Sequence, residues 1–309
     1  MNEMVRNPLK LEASVQASKL TNGERQTYIK SLVVGHDRFD ATLATLQRWH
    51  FPVKGGVRNY GKIAVIQGDA RTGKTFACEQ YMKRFPITET ASGISKPVIM
   101  ASTPEGGGLR PLANVIADAM GLLVSQRINT IGLVNAIIDV LPKIGCEMLI
   151  IDEFQENEDL RRPRKRQDVL GFLKRIVDRS KVMVVVAGLD GTRDMLASDP
   201  QILGRGNLPT HTIPHYAWET DSIYFRALCG AIDALLPFPE MSNLHYQWFA
   251  SRLNEASAGL IGRLMDYVYE ASCIALNEGA RQLLPRHFVE YHRTTMPKGE
   301  SRNLFEDAD

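Results

Sequence analysis

Long apolar runs are missing from this chain. No stretch approaches the ~18 apolar residues of a membrane span, which excludes a helical membrane protein. The opening Met1-Asn2-Glu3-Met4-Val5-Arg6 has no apolar leader core, so a cytosolic protein is expected. Cysteine is scarce. The four thiols, Cys78, Cys146, Cys229 and Cys273, show neither C-x-x-C spacing nor nearby histidine pairs. That argues against zinc modules and disulfide frameworks and leaves buried thiols in a reducing compartment. A dominant charge sign is also missing, since 37 basic minus 35 acidic residues leaves +2. Any nucleic-acid surface must therefore be local. No aromatic residues interleave the basic clusters, so stacking on single-stranded bases is not indicated.

What remains is an ordinary globular composition, 44% hydrophobic and 23% charged over 309 residues. That length suits one large domain plus a smaller one. The most informative stretch is Ile63-Ala64-Val65-Ile66-Gln67-Gly68-Asp69-Ala70-Arg71-Thr72-Gly73-Lys74-Thr75, followed by Phe76. It fits G-x-x-x-x-G-K-[ST] at every fixed position, with an apolar strand before it and a helix after it. A chance match in such a chain is on the order of 1 in 100, and the flanking pattern lowers that further. Gly68 and Gly73 let the backbone curl its N–H groups round an anion. Asp69, Ala70, Arg71 and Thr72 supply the rest of the cradle. The following helix aims its positive end at the phosphates. Lys74 is a point charge for the β- and γ-phosphates, and the Thr75 hydroxyl is a ligand for Mg²⁺. The expected ligands are ATP and Mg²⁺.

About 70 residues on, Glu147-Met148-Leu149-Ile150-Ile151-Asp152-Glu153 is an apolar strand ending in two acids. Asp152 is suited to hold Mg²⁺ through water, and Glu153 to orient or deprotonate a water aimed at the γ-phosphate. Acids at strand ends often only cap helices; paired with the upstream loop they point to an ATPase.

The remaining pattern alternates apolar strands and helices. Further strands are expected at residues 97–101, at 182–187 and, short, at 210–213. Helices are expected over 37–50, 74–84, 110–121, 130–141 and 166–179. This predicts an α/β fold, a parallel sheet with helices on both faces and its ligand at the carboxyl ends of the strands. The strand at 182–187 could lie between the loop-bearing strand and the acidic one. The glycine-rich 102–110 lacks a following Lys-Ser/Thr and reads as a connection. From about 216 the pattern is helical only, over 219–235, 241–254 and 259–278, with a short helix after Pro285. The predicted organisation is an N-terminal arm (1–35), a nucleotide-binding domain (36–215), a helical lid (216–293) and a tail (294–309). Residues 1–30 read as polar and weakly patterned, an arm partly disordered or borrowed by a partner; this arm and residues 295–309, including Asn303-Leu304-Phe305, are candidate docking peptides or plain disordered ends.

Taken together, these stretches resemble the AAA+ ATPases, in their additional-strand form, and more narrowly the TniB/TnsC family of transposition regulators. The resemblance is carried by Gly68–Thr75, Ile150-Ile151-Asp152-Glu153-Phe154-Gln155, Val185-Val186-Ala187-Gly188-Leu189, Asp199-Pro200-Gln201-Ile202-Leu203-Gly204-Arg205, Leu235-Leu236-Pro237 and Ser257-Ala258-Gly259-Leu260-Ile261-Gly262-Arg263-Leu264. It implies a bacterial cytosolic or nucleoid protein. It further implies ATP-dependent assembly on double-stranded DNA as a homo-oligomeric ring or helical filament, with six or seven subunits per turn. Implied partners are a transposase and a target-selector protein or RNA-guided complex. Arg205 matches the finger arginine that reaches a neighbouring subunit's nucleotide, although Gly206 stands where a phenylalanine is usual. Arg263 matches the lid arginine that senses ATP. Such proteins usually end the fourth strand with Asn, Ser or Thr; here Ala187-Gly188-Leu189-Asp190 stands, leaving Asp190 or Thr192 as substitutes.

Two basic surfaces compete for DNA. The run Arg161-Arg162-Pro163-Arg164-Lys165-Arg166 packs five charges into six residues and suits backbone phosphates, or the acids of a neighbouring protomer, or simply solvent. The loop at 102–110, with Thr103, Arg110 and also Arg127, would face a ring pore if the resemblance holds. Two other readings share the core: a helicase loader or replication initiator, against which the missing helix-turn-helix pattern after residue 280 counts, and an ATP-bound scaffold with little hydrolysis.

Overall fold

The strands form where the apolar runs are densest, and the glycines and polar clusters between them set the helix starts. A computed structural model describes residues 10–90, 93–125, 127–204, 206–296 and 302–306. The chain enters through helices α1 (Glu12–Ala17), α2 (Asn22–Lys30) and α3 (Asp37–His50). Strand β1 (Ile63–Gln67), helix α4 (Lys74–Met82) and a small antiparallel pair, β2 (Thr88–Thr90) and β3 (Gly93–Ser95), follow. Next come β4 (Val98–Ser102), α5 (Leu109–Met120), α6 (Thr130–Val140), β5 (Met148–Asp152), α7 (Pro163–Arg175), β6 (Met183–Gly188), α8 (Thr192–Ala197), α9 (Pro200–Leu203) and β7 (Thr210–Thr212). The last stretch is helical: α10 (Trp218–Leu235), α11 (Gln247–Ser257), α12 (Ile261–Asn277) and α13 (Pro285–Thr295).

The chain divides into two compact units, Ala41–Pro214 and a second made of Met1–Asp40 with His215–Asp309. The first holds a five-stranded sheet in the order β4-β5-β6-β1-β7, parallel throughout. β6 lies between the loop-bearing β1 and the acidic β5, the additional-strand layout. Alternate strand residues point to opposite faces. Ile63, Val65, Ile99, Ala101, Leu149, Ile151, Val184 and Val186 share one core with α5, α6 and α7. The intervening Ala64, Ile66, Ile150, Val185 and Ala187 are equally buried. α4 packs against β4 and β6. His50, at the end of α3, meets the α4 tyrosine, Tyr81, at 3.1 Å. Burial on both faces explains why these strands read as unbroken apolar runs rather than alternating ones.

The helical unit differs from the sequence reading at both of its ends. Residues 10–35 pack rather than trail. Ile29 and Val34 join the core of α10–α13. Arg25 Nε donates to the Pro237 carbonyl at 2.8 Å, Asn22 Nδ2 to Leu276 O at 2.9 Å, and Lys10 Nζ to Leu236 O at 2.9 Å. α2 is fixed by a capping box between Thr21 and Glu24. At the other end Phe305 is 1% exposed and packs edge-on or tilted among Phe249, Phe288, Tyr267 and His292. Asn303 Nδ2 donates to Val289 O at 2.9 Å. The Asn303–Phe305 segment is thus occupied inside its own unit, not held out as a docking peptide. The helix expected at 241–254 starts only at Gln247, because the buried Asp233 carboxylate captures the N–H groups of Ser242 and Leu244.

Candidate nucleotide site

Parallel register levels the strand ends. Gln67 pairs with Gly188, and Ser102 with Asp152. Gly68, Leu189, Glu153 and Thr103 therefore emerge along one edge of the sheet. A ligand crevice is expected at that edge.

Gly68 is required there. A Cβ at this position would lie 2.4 Å from the Ile213 carbonyl, and its φ of +158° is unfavourable for other residues. Gly73 stands left-handed (φ +92°) as the residue before α4, turning the chain so that the helix start faces the loop. Arg71 also has positive φ, +70°. Thr72 Oγ1 closes the turn on Asp69 O at 2.8 Å. Lys74 is buried and lies back across the loop, its Nζ donating to Gly68 O at 2.8 Å and Asp69 O at 2.7 Å. Burial holds its pKa below the ordinary ammonium value, against the pull of Glu153, Asp152, Asp190 and Asp69. Four acids and a lysine thus converge on the cradle. Phe76 lies in the first turn of α4, 37% exposed.

Thr75 and Asp152 meet as the motif requires. Thr75 Oγ1 donates to Asp152 Oδ2 at 2.6 Å. Asp152 is 1% exposed, and its other oxygen, Oδ1, is buried without a hydrogen-bond partner. Burial raises its pKa and the Thr75 hydrogen bond lowers it again. A buried, half-satisfied carboxylate beside a hydroxyl is the donor set a hard cation takes. The residues present therefore fit Mg²⁺, which would be held by Thr75 and Asp152.

Glu153 has a left-handed backbone (φ +50°), a conformation that costs a non-glycine residue energy and clusters at functional sites. It opens a 3₁₀ turn, Phe154–Glu156, anchored by the buried Phe154. Its Oε2 accepts a hydrogen bond from Gln155 Nε2. Gln155 Oε1 in turn accepts the Leu189 N–H at 3.1 Å. No periodic signal in the sequence marks this bridge, since Gln155 lies only two residues beyond Glu153 and Leu189 follows a different strand. Of the two substitutes for the fourth-strand residue, Thr192 is buried with its hydroxyl committed to Leu189 O at 2.6 Å. Asp190 is exposed and near enough to raise the Lys74 pKa.

The other expected residues scatter. Thr103 is corrected: it is 4% exposed, beside the acids, with Oγ1 buried, so it offers no surface to DNA. Arg110 is half-buried and donates to Ile128 O at 2.6 Å, while Arg127 is exposed. Arg161, Arg162, Arg164 and Lys165 are exposed at the start of α7, and Arg166 is half-buried with Nε on Leu160 O at 2.7 Å. Arg263 is exposed on α12 of the helical unit, lining a cavity of about 450 Å³ with Asp266, Tyr267 and Tyr291. Arg205 lies outside the described residues. Among the described residues no helix is long and apolar enough to cross a membrane.

Comparison with known proteins agrees with this geometry. The family model "TniB: Bacterial TniB protein" matches residues 27–216, more than half of the chain. No curated protein matches. Among solved structures the chain resembles the Aeropyrum pernix ORC2 protein in its ADPNP-ADP complexes, with a TM-score of 0.62 at 16% identity over 85% of this chain and 70% of that one. It resembles Cdc6p from Pyrobaculum aerophilum with a TM-score of 0.63 at 13% identity, over 89% and 72%. The Aeropyrum pernix ORC1 protein in complex with DNA gives 0.58 at 17%, over 87% and 69%. At these identities the likeness establishes the fold alone: a five-stranded parallel sheet with helices, followed by a helical stretch.

Proposed function

This chain belongs to the TniB family of bacterial proteins, and from that premise we propose that it is an ATP-hydrolysing regulator of DNA transposition, assembling on duplex DNA to mark a target site for a transposase. One observation carries the enzymatic part. Lys74, the Thr75–Asp152 pair and Glu153 converge at the carboxyl ends of the parallel strands β1 and β5, which flank β6. In this reading the loop N–H groups and Lys74 hold the phosphates of ATP. Thr75 and Asp152 hold Mg²⁺, which supplies charge neutralisation for phosphoryl transfer. Glu153 takes a proton from water. Arg205 and Arg263 answer to ATP from a neighbouring and from the same subunit. A target-selector protein or RNA-guided complex supplies the position on DNA, and the cytosol or nucleoid is the setting.

The DNA surface favoured here is the start of α7. Exposed cations there lie at the positive end of a helix whose first turn contains no acid. That arrangement opposes the helix dipole, at about 0.3–1 kcal/mol per charge. A chain that tolerates it gains from an anionic partner, and duplex phosphates suit a sequence-independent contact. Arg110 and Arg127 form the rival surface.

The test is an ATP-dependent polymer. Protein with ATP, Mg²⁺ and long duplex DNA should form rings or filaments by electron microscopy, and Lys74→Ala should not. ATP-dependent polymers from Lys74→Ala would refute the mechanism. A second reading, an ATP-bound scaffold with little turnover, draws on the fourth-strand end, where Thr192 is committed to backbone. Steady-state phosphate release with and without DNA separates the two. A helicase loader or initiator shares this fold, but the fold likeness to ORC and Cdc6 proteins carries no activity with it.

A further inference from the structure

The end of β6 lacks the polar side chain that this kind of site calls for, and the neighbouring strand fills the gap. Gln155 follows β5, and Leu189 follows β6. The Gln155 amide spans the two strand ends, donating through Nε2 to Glu153 Oε2 and accepting the Leu189 N–H through Oε1 at 3.1 Å. Local structure makes room for it. A Cβ at Gly188 would lie 3.0 Å from Gln155 Oε1 and 2.4 Å from Thr192 Oγ1, so a side chain there would displace the bridge. The left-handed Glu153 and the 3₁₀ turn over the buried Phe154 bring the two side chains onto one side of the strand end.

The geometry assigns Gln155 as a positioning residue: its amide, borne by the acidic strand, replaces the absent polar residue of β6 and aims the Glu153 carboxylate. One Glu153 oxygen is fixed by the amide, and the other is left to take the proton from water. Because the amide also holds the Leu189 N–H, the orientation of Glu153 is tied to the β6 end, next to Asp190. The assignment rests on the hydrolytic reading above.

Glutamine is specified on both sides. Glutamate at 155 would keep the acceptor for Leu189 but replace the donor with a second carboxylate against Glu153. Methionine would keep the length and lose both hydrogen bonds. Phosphate release at saturating ATP, binding of a fluorescent ATP analogue and thermal melting are to be measured for Gln155→Met, Gln155→Glu, Glu153→Gln and the Gln155→Met/Glu153→Gln double variant. Both single changes at 155 should lower kcat about 10- to 100-fold, the scale of a misaimed catalytic group. Analogue affinity should stay within about twofold, since the amide's hydrogen bonds go to Glu153 and Leu189, outside the phosphate loop. In the Glu153→Gln background the Met substitution should add no further loss, because the two residues act as one unit. Full kcat in Gln155→Glu would reduce the amide to a structural tether and overturn the assignment. So would a further loss in the double variant. Should Gln155→Met melt early, the Glu variant, which keeps the tether, carries the test alone. A wild-type chain that releases no phosphate overturns the hydrolytic reading itself, whereas normal turnover beside fully active 155 variants overturns only the role of Gln155.

Discussion

Thr75→Val isolates the electrostatics of the metal corner from its packing. Valine keeps the shape of threonine and removes one hydroxyl. In the wild-type chain that hydroxyl is the side-chain donor to Asp152 Oδ2, at 2.6 Å, while Oδ1 has no partner and the residue is 1% exposed. Loss of a hydrogen bond to a buried charged group costs about 1.5–3 kcal/mol. At about 2–4 °C per kcal/mol for a unit of this size, a loss near 2 kcal/mol lowers the melting temperature by about 4–8 °C. The pH dependence gives the sharper test. Burial raises the Asp152 pKa in the fold above its unfolded value, and the Thr75 hydrogen bond opposes that rise. Between the unfolded and the folded pKa the native state binds more protons, so this group lowers stability as pH rises. Without Thr75 the folded pKa climbs further. The gap between wild type and variant should therefore be small near the ordinary aspartate range and widen as pH rises above it, levelling off once Asp152 is ionised in both. Melting in EDTA without nucleotide, at pH 5 and pH 8, reads this directly. A loss of equal size at both pH values would show that the buried carboxylate is not the cause. Adding Mg²⁺ and ATP should stabilise wild type more than the variant, because Asp152 loses its co-ligand.

Three further outcomes follow from the geometry. Glu153→Gln should keep ATP binding and stall phosphate release; unchanged release removes Glu153 from the chemistry. Replacing Arg161, Arg162 and Arg164 with alanine should weaken duplex binding without regard to sequence and reduce the salt slope by about 1 per lost phosphate contact; an unchanged slope moves the DNA surface to Arg110 and Arg127. Phe305→Ala removes a ring packed against Phe288 and Tyr267, so stability should fall by about 3–5 kcal/mol, and unchanged urea unfolding would show that the segment does not hold the helical unit together.

The sheet was legible because its strands are covered on both faces and therefore read as continuous apolar runs. The nucleotide corner was legible because its chemistry fixes residue type and spacing together, as at Gly68, Lys74 and Thr75. The N-terminal helices were not legible, for a physical reason. Their apolar anchors are few, chiefly Ala17, Ile29 and Val34, and docking is shared with polar side chains bonded to carbonyls more than 200 residues away, as Arg25 to Pro237 and Asn22 to Leu276. No period in the sequence encodes such a pairing. Thr103 misled for the opposite reason: a threonine in a glycine-rich loop reads as surface, yet its N–H is tied to Asp152 O at 2.9 Å and draws it inward. The Gln155 bridge joins neighbouring strand ends, and only strand order reveals it.

The division of the chain has a consequence for its synthesis. Residues 41–214 interrupt the helical unit, so a ribosome releases α1 and α2 long before it makes α10–α13. The sheet unit has all its strands in one uninterrupted stretch and can condense while its neighbour is still half-made. The early helices must wait, water-exposed, for partners encoded some two hundred codons later. A chain released after Pro214 should therefore show a protease-resistant sheet unit and an N-terminal segment that proteases still cut.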